Sequence, residues 1–388
     1  MKQSSLYIWL TTILVRSVTQ SKQIKESDHK RITEKVNAVY GTEFLKAKGE
    51  RYGEKVSLVT RAYAEYLIKI GKPIYGIAPI MRAIKMCASS DEEVSSLHTH
   101  FAMLCLKAKC FQHSIMVIDH PITSVMKGTL PIEIMTYNYY RGLLNTGLQR
   151  FPEAIECFRK VLSQPTNLCH AVHIEAYYKV SILNLIVHGE TFDMKAGNVS
   201  SSIQREIQNR ESRLMEMQVP AGVEGIDGMP RVNWHAALVD AWQTRQVQNL
   251  EEVIGQNFEQ LQENKQLGLA QRLLQSLIQK KIADLSATYI TLSFAEIAEK
   301  TGIPKANLEE QIAKMISEDV IKARISASTQ TVEFIESEED SGAAINPSQL
   351  ELIRTLEKQN TRIVKLMGKA EQLNRSIKLS EEYIQVSV

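Results

Sequence analysis

The sequence predicts a mostly α protein: a helical-repeat solenoid that continues into a winged-helix subdomain, with a further helix at the C-terminus. Three observations predict it. Small residues recur at Ala64, Ala102 and Gly142, 38 and 40 residues apart. Residues 293–326, SFAEIAEKTGIPKANLEEQIAKMISEDVIKARIS, follow the grammar of helix, turn, helix and strand. Near the end of the chain, apolar residues keep a 3-4 spacing over several turns.

Taken in order, residues 1–53 form a divergent N-terminal segment. Lys2 followed by LYIWLTTILV, residues 6–15, resembles the positive and apolar regions of a signal peptide. That run is too short to span a bilayer and no small-residue cleavage site follows. A buried segment, or a misassigned start, explains it better than secretion. From 54 to 189 the pattern is helical, with breaks at Gly or Pro. Each small residue of the repeat is followed twelve positions on by another, Gly76, Ser114 and Ala154, and four later by a bulky one, Ile80, Ile118 and Phe158. Paired helices pack this way, with small residues where they approach and large ones filling the gap between pairs. The clearest unit is YYRGLLNTGLQRFPEAIECFRKVLSQP, 139–165, where Gly142, Ala154, Phe158 and Pro165 fall near tetratricopeptide positions, so the solenoid is TPR-like. A fourth unit begins at EAYYKVSILNLIVHG, 175–189, whose Tyr177 and Tyr178 read as core.

Residues 190–232 read as a divergent loop or linker, because VPAGVEGIDGMP, 219–230, concentrates Gly and Pro. Helices resume near Trp234 and open a module spanning 233–337. Leu269, Leu273, Leu277, Ile278 and Ile282 stripe a helix that leads straight into the winged helix at 290–337. There Ser293 with Glu296 forms a capping box, and Asn307 with Glu310 repeats it. Gly302 can end the first helix in the left-handed conformation. Leu308, Ile312, Met315 and Ile316 give the second helix one apolar face. Two amphipathic strands follow, 321–327 and 331–336, with Ile321, Ile325, Val332 and Phe334 on their apolar positions. An acidic linker, 338–346, precedes the last helix, 347–388. Its seam runs through Ile353, Leu356, Asn360, Ile363, Met367, Ala370, Asn374 and Ile377. Asn at such core positions costs stability and selects register and partner. The seam therefore points to a helical bundle with other subunits.

The charges exclude some uses. Between 290 and 337 there are five Lys/Arg and eight Asp/Glu, so the element that would face DNA is acidic, against the electrostatics of duplex binding. A net charge of +2 over 388 residues asks for no polyanionic partner. The five cysteines, Cys87, Cys105, Cys110, Cys157 and Cys169, form no CxxC pair and suit a reducing compartment. His98 and His100 form an HTH tripeptide, but the metalloprotease pattern His-x-His, seven residues, Ser-x-x-Asp fails at Ala108 and Phe111. His170, His173 and Glu175 have loose ligand spacing without HExxH. No Walker loop, GxGxxG or GxSxG occurs. The expectation is no catalytic residue, no metal and no cofactor, and neither a nucleic-acid nor a membrane partner.

The stretches GIAPIMRAI (76–84), SLHTHFAMLCLKAKCF (96–111), YNYYRGLLNTGLQRFPEAIECF (137–158), EAYYKVSILNLIVHG (175–189), ITLSFAEIAEKTG (290–302) and VIKARISASTQTVEF (320–334) resemble PCI-domain proteins. Within that group they are most similar to the third-subunit family of the COP signalosome. The first fifty residues and 190–232 diverge from the family, and the last helix matches in pattern more than in letters. The resemblance implies a non-catalytic scaffold of the complex that deneddylates the cullins of cullin-RING ubiquitin ligases, in cytoplasm and nucleus. It also implies winged helices that pair edge to edge and C-terminal helices that gather in a bundle. Interaction would then rest on Ile321, Ile325, Val332, Phe334, Leu356, Asn360, Ile363, Met367, Asn374 and Ile377, with other signalosome subunits as direct partners and cullin-RING ligases as indirect ones. A PCI subunit of the proteasome lid or of the translation initiation complex shares the layout. A winged-helix nucleic-acid-binding protein is the alternative of another class.

Overall fold

The computed structural model describes residues 2–20, 26–41, 43–88, 90, 92–166, 168–195, 197–216, 234–303, 305–317, 320–326 and 330–334. The chain divides into two compact units, Met1–Lys281 with Glu299–Ile303, and Ile282–Ala298 with Pro304–Val388. The architecture is the mostly α class expected.

The first unit opens with α1 (Lys2–Gln20), α2 (Glu26–Gly41) and α3 (Glu43–Lys69). The apolar run of α1 is split between two faces. Ile8, Thr11, Thr12 and Val15 are buried where α1 packs on α3, while Trp9, Leu10 and Ile13 are exposed. The Thr12 hydroxyl donates to the Ile8 carbonyl at 3.0 Å, which lets a polar residue sit on the inner face. Among the described residues no helix is long and apolar enough to cross a membrane. The boundary drawn at 53/54 falls inside α3, and Ile8, Val36 and Tyr40 belong to the same hydrophobic core as Phe101 and Leu104 of the repeats. The N-terminal helices are thus part of the repeat core.

The repeats continue as α4 (Ile74–Cys87), α5 (Ser96–Ala108), α6 (Phe111–Ile118), α7 (Pro131–Gly147), α8 (Phe151–Ser163) and α9 (Ala171–Val187). A short parallel ladder joins β1 (Glu93–Val94) to β2 (Ser124–Val125). The small and large residues of the sequence repeat are buried without exception. A Cβ at Gly142 would lie 2.7 Å from Phe158 Cε1, and one at Gly76 only 2.5 Å from Leu67 Cδ1 and 2.6 Å from Leu104 Cδ1. Small residues are a steric requirement there, and Phe158 fills the space that Gly142 leaves.

The turns repeat as well. Gly71, Lys109, Gln149 and Gly189 all have positive φ, at 71°, 54°, 62° and 76°. They lie 38, 40 and 40 residues apart. The left-handed residue lets each chain reversal close its preceding helix. The last of the four places α9 in the same rhythm and supports a fourth unit.

Residues 190–232 are not a loop throughout. They contain α10 (Ser201–Glu216), which buries Ile203 and Ile207. Its polar, charged sequence hid the two-residue apolar anchor, and the Gly/Pro-rich stretch 219–230 that governed the reading lies outside the described residues. The unit continues through α11 (Trp234–Gln243), α12 (Val247–Gln256), α13 (Phe258–Glu263) and α14 (Leu267–Ser286) as far as Lys281. Leu273, Leu277, Ile278 and Ile282 of α14 are buried as their stripe predicts. The Ser276 hydroxyl on α14 donates to the Ile186 carbonyl of α9 at 3.1 Å.

The second unit holds β3 (Thr291–Ser293), the start of α15 (Phe294–Thr301), α16 (Lys305–Ser317), β4 (Ala323–Ser326) and β5 (Thr331–Phe334). Ser293 and Glu296 form the expected capping box: the Ser293 backbone N–H donates to Glu296 Oε2 at 2.9 Å, and the Glu296 N–H donates to Ser293 Oγ at 3.3 Å. Gly302 ends α15 at φ 76°. Asn307 lies inside α16, which begins at Lys305. Leu308, Ile312 and Met315 are buried and Ile316 is half-buried.

For the winged helix the sequence showed two strands, and the described residues of this unit hold three. They are antiparallel in the order β3-β5-β4, with Leu292 opposite Val332 and Ile325 also opposite Val332 across the other ladder. The last strand in sequence is therefore the middle one in space. The acidic linker at 338–346 and the final helix at 347–388 lie outside the described residues.

Candidate protein-interaction surface

The winged helix carries the candidate surface because its sheet has two outer strands. β5 is flanked on both sides, so an added strand can join only at β4 or β3. The four wing residues divide accordingly. Val332 is fully buried, and Ile321 and Phe334 are both 5% exposed. Alternation in a strand identifies the apolar face but does not say whether the chain's own helices or a partner covers it. Ile325, on outer strand β4, is half-buried and keeps surface. Leu356, Asn360, Ile363, Met367, Asn374 and Ile377 lie outside the described residues.

Sequence reasoning missed the opposite edge. Tyr289 and Ile290, just before β3, are exposed, Ile290 by 70%. The Ile290 carbonyl accepts from the Phe334 N–H at 2.8 Å, which extends the β3–β5 ladder by one residue. The signal was present in Ile290 and Leu292 alternating around Thr291, directly before the capping Ser293. On α16, Glu309 and Glu310 are exposed together with Lys314, so the described helix surface offers no basic stripe.

The histidine motifs resolve into structural roles. His98 is buried, and its Nδ1 accepts from the Ser95 backbone N–H at 3.1 Å at the start of α5. Its ring meets the Tyr137 ring edge-on at 5.6 Å, and burial pushes its pKa down to about 4. His173 plays the same part for α9: its Nδ1 accepts from the His170 N–H at 2.9 Å. Glu175 pairs instead with Lys179 at 3.0 Å. The loose ligand set is thus taken up in a helix cap and an ion pair, and among the described residues no group of three or more His, Cys, Asp or Glu could hold a metal ion. Tyr177 and Tyr178 are core, as read. Their rings lie 5.4 and 4.9 Å from that of His235, and the Tyr177 hydroxyl donates to Glu211 Oε1 at 3.2 Å. Burial holds His235 near pKa 4 and raises the Glu211 carboxyl.

Helical repeats leading into a winged helix define the class of PCI proteins, and residues 247–336 match the PCI domain. Residues 2–203, just over half of the chain, match the family described as COP9 signalosome complex subunit 3, N-terminal helical repeats. The chain belongs to that family. The match starts at residue 2, inside the segment whose letters looked divergent, in keeping with the core that α1 and α2 share with the repeats. Among curated proteins, the chain is 26% identical over 336 residues to COP9 signalosome complex subunit 3 of Dictyostelium discoideum, covering 85% of this chain and 73% of the relative. It is 25% identical over 276 residues to the protein of the same description from Arabidopsis thaliana, covering 71% of this chain and 59% of that relative.

Proposed function

We propose that this chain is a non-catalytic scaffold subunit of a signalosome that deneddylates the cullins of cullin-RING ubiquitin ligases, acting in cytoplasm and nucleus. The observation that carries the reading is the continuous match to signalosome subunit 3 repeats from residue 2 to 203, followed by a PCI winged helix. In this reading the outer strand β4 meets a neighbouring PCI subunit, and the C-terminal helix with Leu356, Asn360, Ile363, Met367, Asn374 and Ile377 joins a bundle. Cullin-RING ligases are reached through the assembled complex.

The test is purification of the endogenous protein through a C-terminal tag at moderate salt, with mass spectrometry of what accompanies it and an assay of cullin deneddylation. Signalosome subunits together with the activity are expected. Proteasome-lid or initiation-complex subunits, or a protein retained on nucleic acid, would overturn the reading. Ile325→Asp tests the edge, since a charge in an apolar subunit contact is costly. Assembly should weaken at least tenfold while the thermal melt of the free chain stays unchanged. Undiminished assembly would remove β4 from the interface.

A further inference from the structure

The turn from α5 to α6 brings two thiols together. Lys109 is left-handed at φ 54°, its N–H donates to the Leu106 carbonyl at 3.2 Å, and the Cys110 N–H donates to the Cys105 carbonyl at 3.0 Å. These two bonds make a Schellman motif, in which the side chains at the two ends of the longer bond commonly pack together. Here both are cysteine. Residues joined by a backbone hydrogen bond have Cα atoms about 5–6 Å apart, inside the span of roughly 4.4–6.8 Å that a disulfide bridges.

The same ending joins Leu67 to Lys72, Asn145 to Arg150 and Leu261 to Gln266, at 3.0, 2.9 and 2.8 Å. The backbone therefore makes this turn without thiols. The two cysteines differ in their surroundings. Cys105 is wholly buried in the repeat core, where burial first and the neighbouring Cys110 second push its thiol pKa up to about 12. Cys110 is half-buried, packs on the edge of that core, and donates through its thiol to the Ala108 carbonyl at 3.5 Å. One reachable thiol beside one held dry is the arrangement of an attacking and a resolving cysteine.

We propose that Cys105 and Cys110 form a reversible thiol–disulfide switch, which hydrogen peroxide closes and small-molecule thiols reopen, stapling the end of α5 to the start of α6. The Cys110 thiolate attacks one peroxide oxygen, the O–O bond breaks, hydroxide leaves, and Cys110 becomes a sulfenic acid. The Cys105 sulfur then attacks that sulfur, the S–O bond breaks, and the oxygen departs as water with the Cys105 proton. Two thiols and one peroxide give one disulfide and two waters. Scarcity of the Cys105 thiolate slows the second step, and placement offsets this, since well-oriented groups reach effective concentrations on the order of 10⁵ M or more. Transient redox-sensing pairs are the disulfides that reducing compartments allow. The staple adjoins Phe111, whose Cε1 would lie 2.6 Å from a Cβ at Gly147, so it fixes the joint by which α6 seats on α7. The inference does not depend on the scaffold reading.

The reduced full chain would be treated with hydrogen peroxide at neutral pH, its remaining thiols blocked with N-ethylmaleimide, and the products mapped by fragmentation mass spectrometry. The thiol titre is expected to fall by two of the five, with one link joining Cys105 to Cys110 and full recovery in dithiothreitol. Cys110→Ala should abolish the link and Cys87→Ala should leave it. Cys105→Ala should stop the reaction at a Cys110 sulfenic acid that dimedone traps. Should that buried replacement alter the melting curve, Cys110→Ala, at a half-buried position, carries the test alone. No loss of thiols, a parent chain oxidised at Cys110 only, a link to any other cysteine or to a second chain, or a link formed only in urea would each overturn the proposal.

Discussion

At Gly142 a single hydrogen in place of a methyl group decides whether α7 and α8 can meet. Gly142→Ala should destabilise the full chain by about 1–3 kcal/mol through overpacking against Phe158, read from chemical denaturation. Adding Phe158→Leu should recover part of that loss, and strict additivity of the two changes would mean that the contact is not what constrains the site. Gln149 presents the converse case, a side chain held at φ 62° where glycine is at ease. Gln149→Gly should raise stability by about 1 kcal/mol, the relief of left-handed strain less the added freedom of the unfolded chain; a drop in the melting temperature would count against it. His98, His100, His173 and His235 are all pushed to about pKa 4, first by burial. An unfolded histidine titrates at about 6.5, so between about 6.5 and about 4 the unfolded chain binds more protons than the folded one. Stability is complete above that window and falls as pH drops through it. His235→Phe should flatten the decline between pH 7 and pH 5, and an unaltered slope would assign it to other groups. Of these features the sequence displayed only the small residues. Nothing in a lysine or a glutamine announces positive φ at Lys109 or Gln149, and a histidine that caps a helix has the same letters as one that binds metal.

Elements were legible in proportion to the side chains that declared them. The capping box at Ser293 could be read because two residues three apart make it, and Ser293→Ala should cost about 1 kcal/mol, with the loss of one N-cap visible as an earlier denaturation midpoint. β3 could not be read as easily, since a three-residue strand turns only Leu292 inward and yields no run of alternation. α10 escaped for a related reason: Ile203 and Ile207 are its deepest anchors among polar neighbours, and they sit ahead of a Gly/Pro-rich stretch. The wing shows a different limit. Its period exposed the apolar face correctly, yet Val332 and Phe334 turned out to be core and only Ile325 stands at an outer strand. Phe334→Ala should therefore destabilise the fold by about 3–5 kcal/mol as a buried truncation. A variant that assembles poorly but melts like the parent would show instead that Phe334 serves a partner.

For the molecule as a whole, the repeat period and the winged-helix grammar were enough to give the class, because both are properties of many residues at once. The N-terminal helices were not recognisable as part of the repeats, since their contribution is a shared core rather than a shared pattern. The acidic balance of residues 290–337 yields an expectation at this scale too. Anisotropy of a labelled duplex should show no binding that strengthens as salt is lowered, and a steep salt slope would restore the nucleic-acid reading. The order of the sheet has one more consequence, for synthesis. A ribosome delivers the chain from its N-terminus, so β3 is complete long before its neighbour β5 emerges with Thr331–Phe334. The wing cannot close around its own middle strand until then. A product that ends between β3 and β5 keeps the whole repeat array but leaves the backbone of β3 without its ladder partner, an open strand edge that tells an incomplete copy from a finished one.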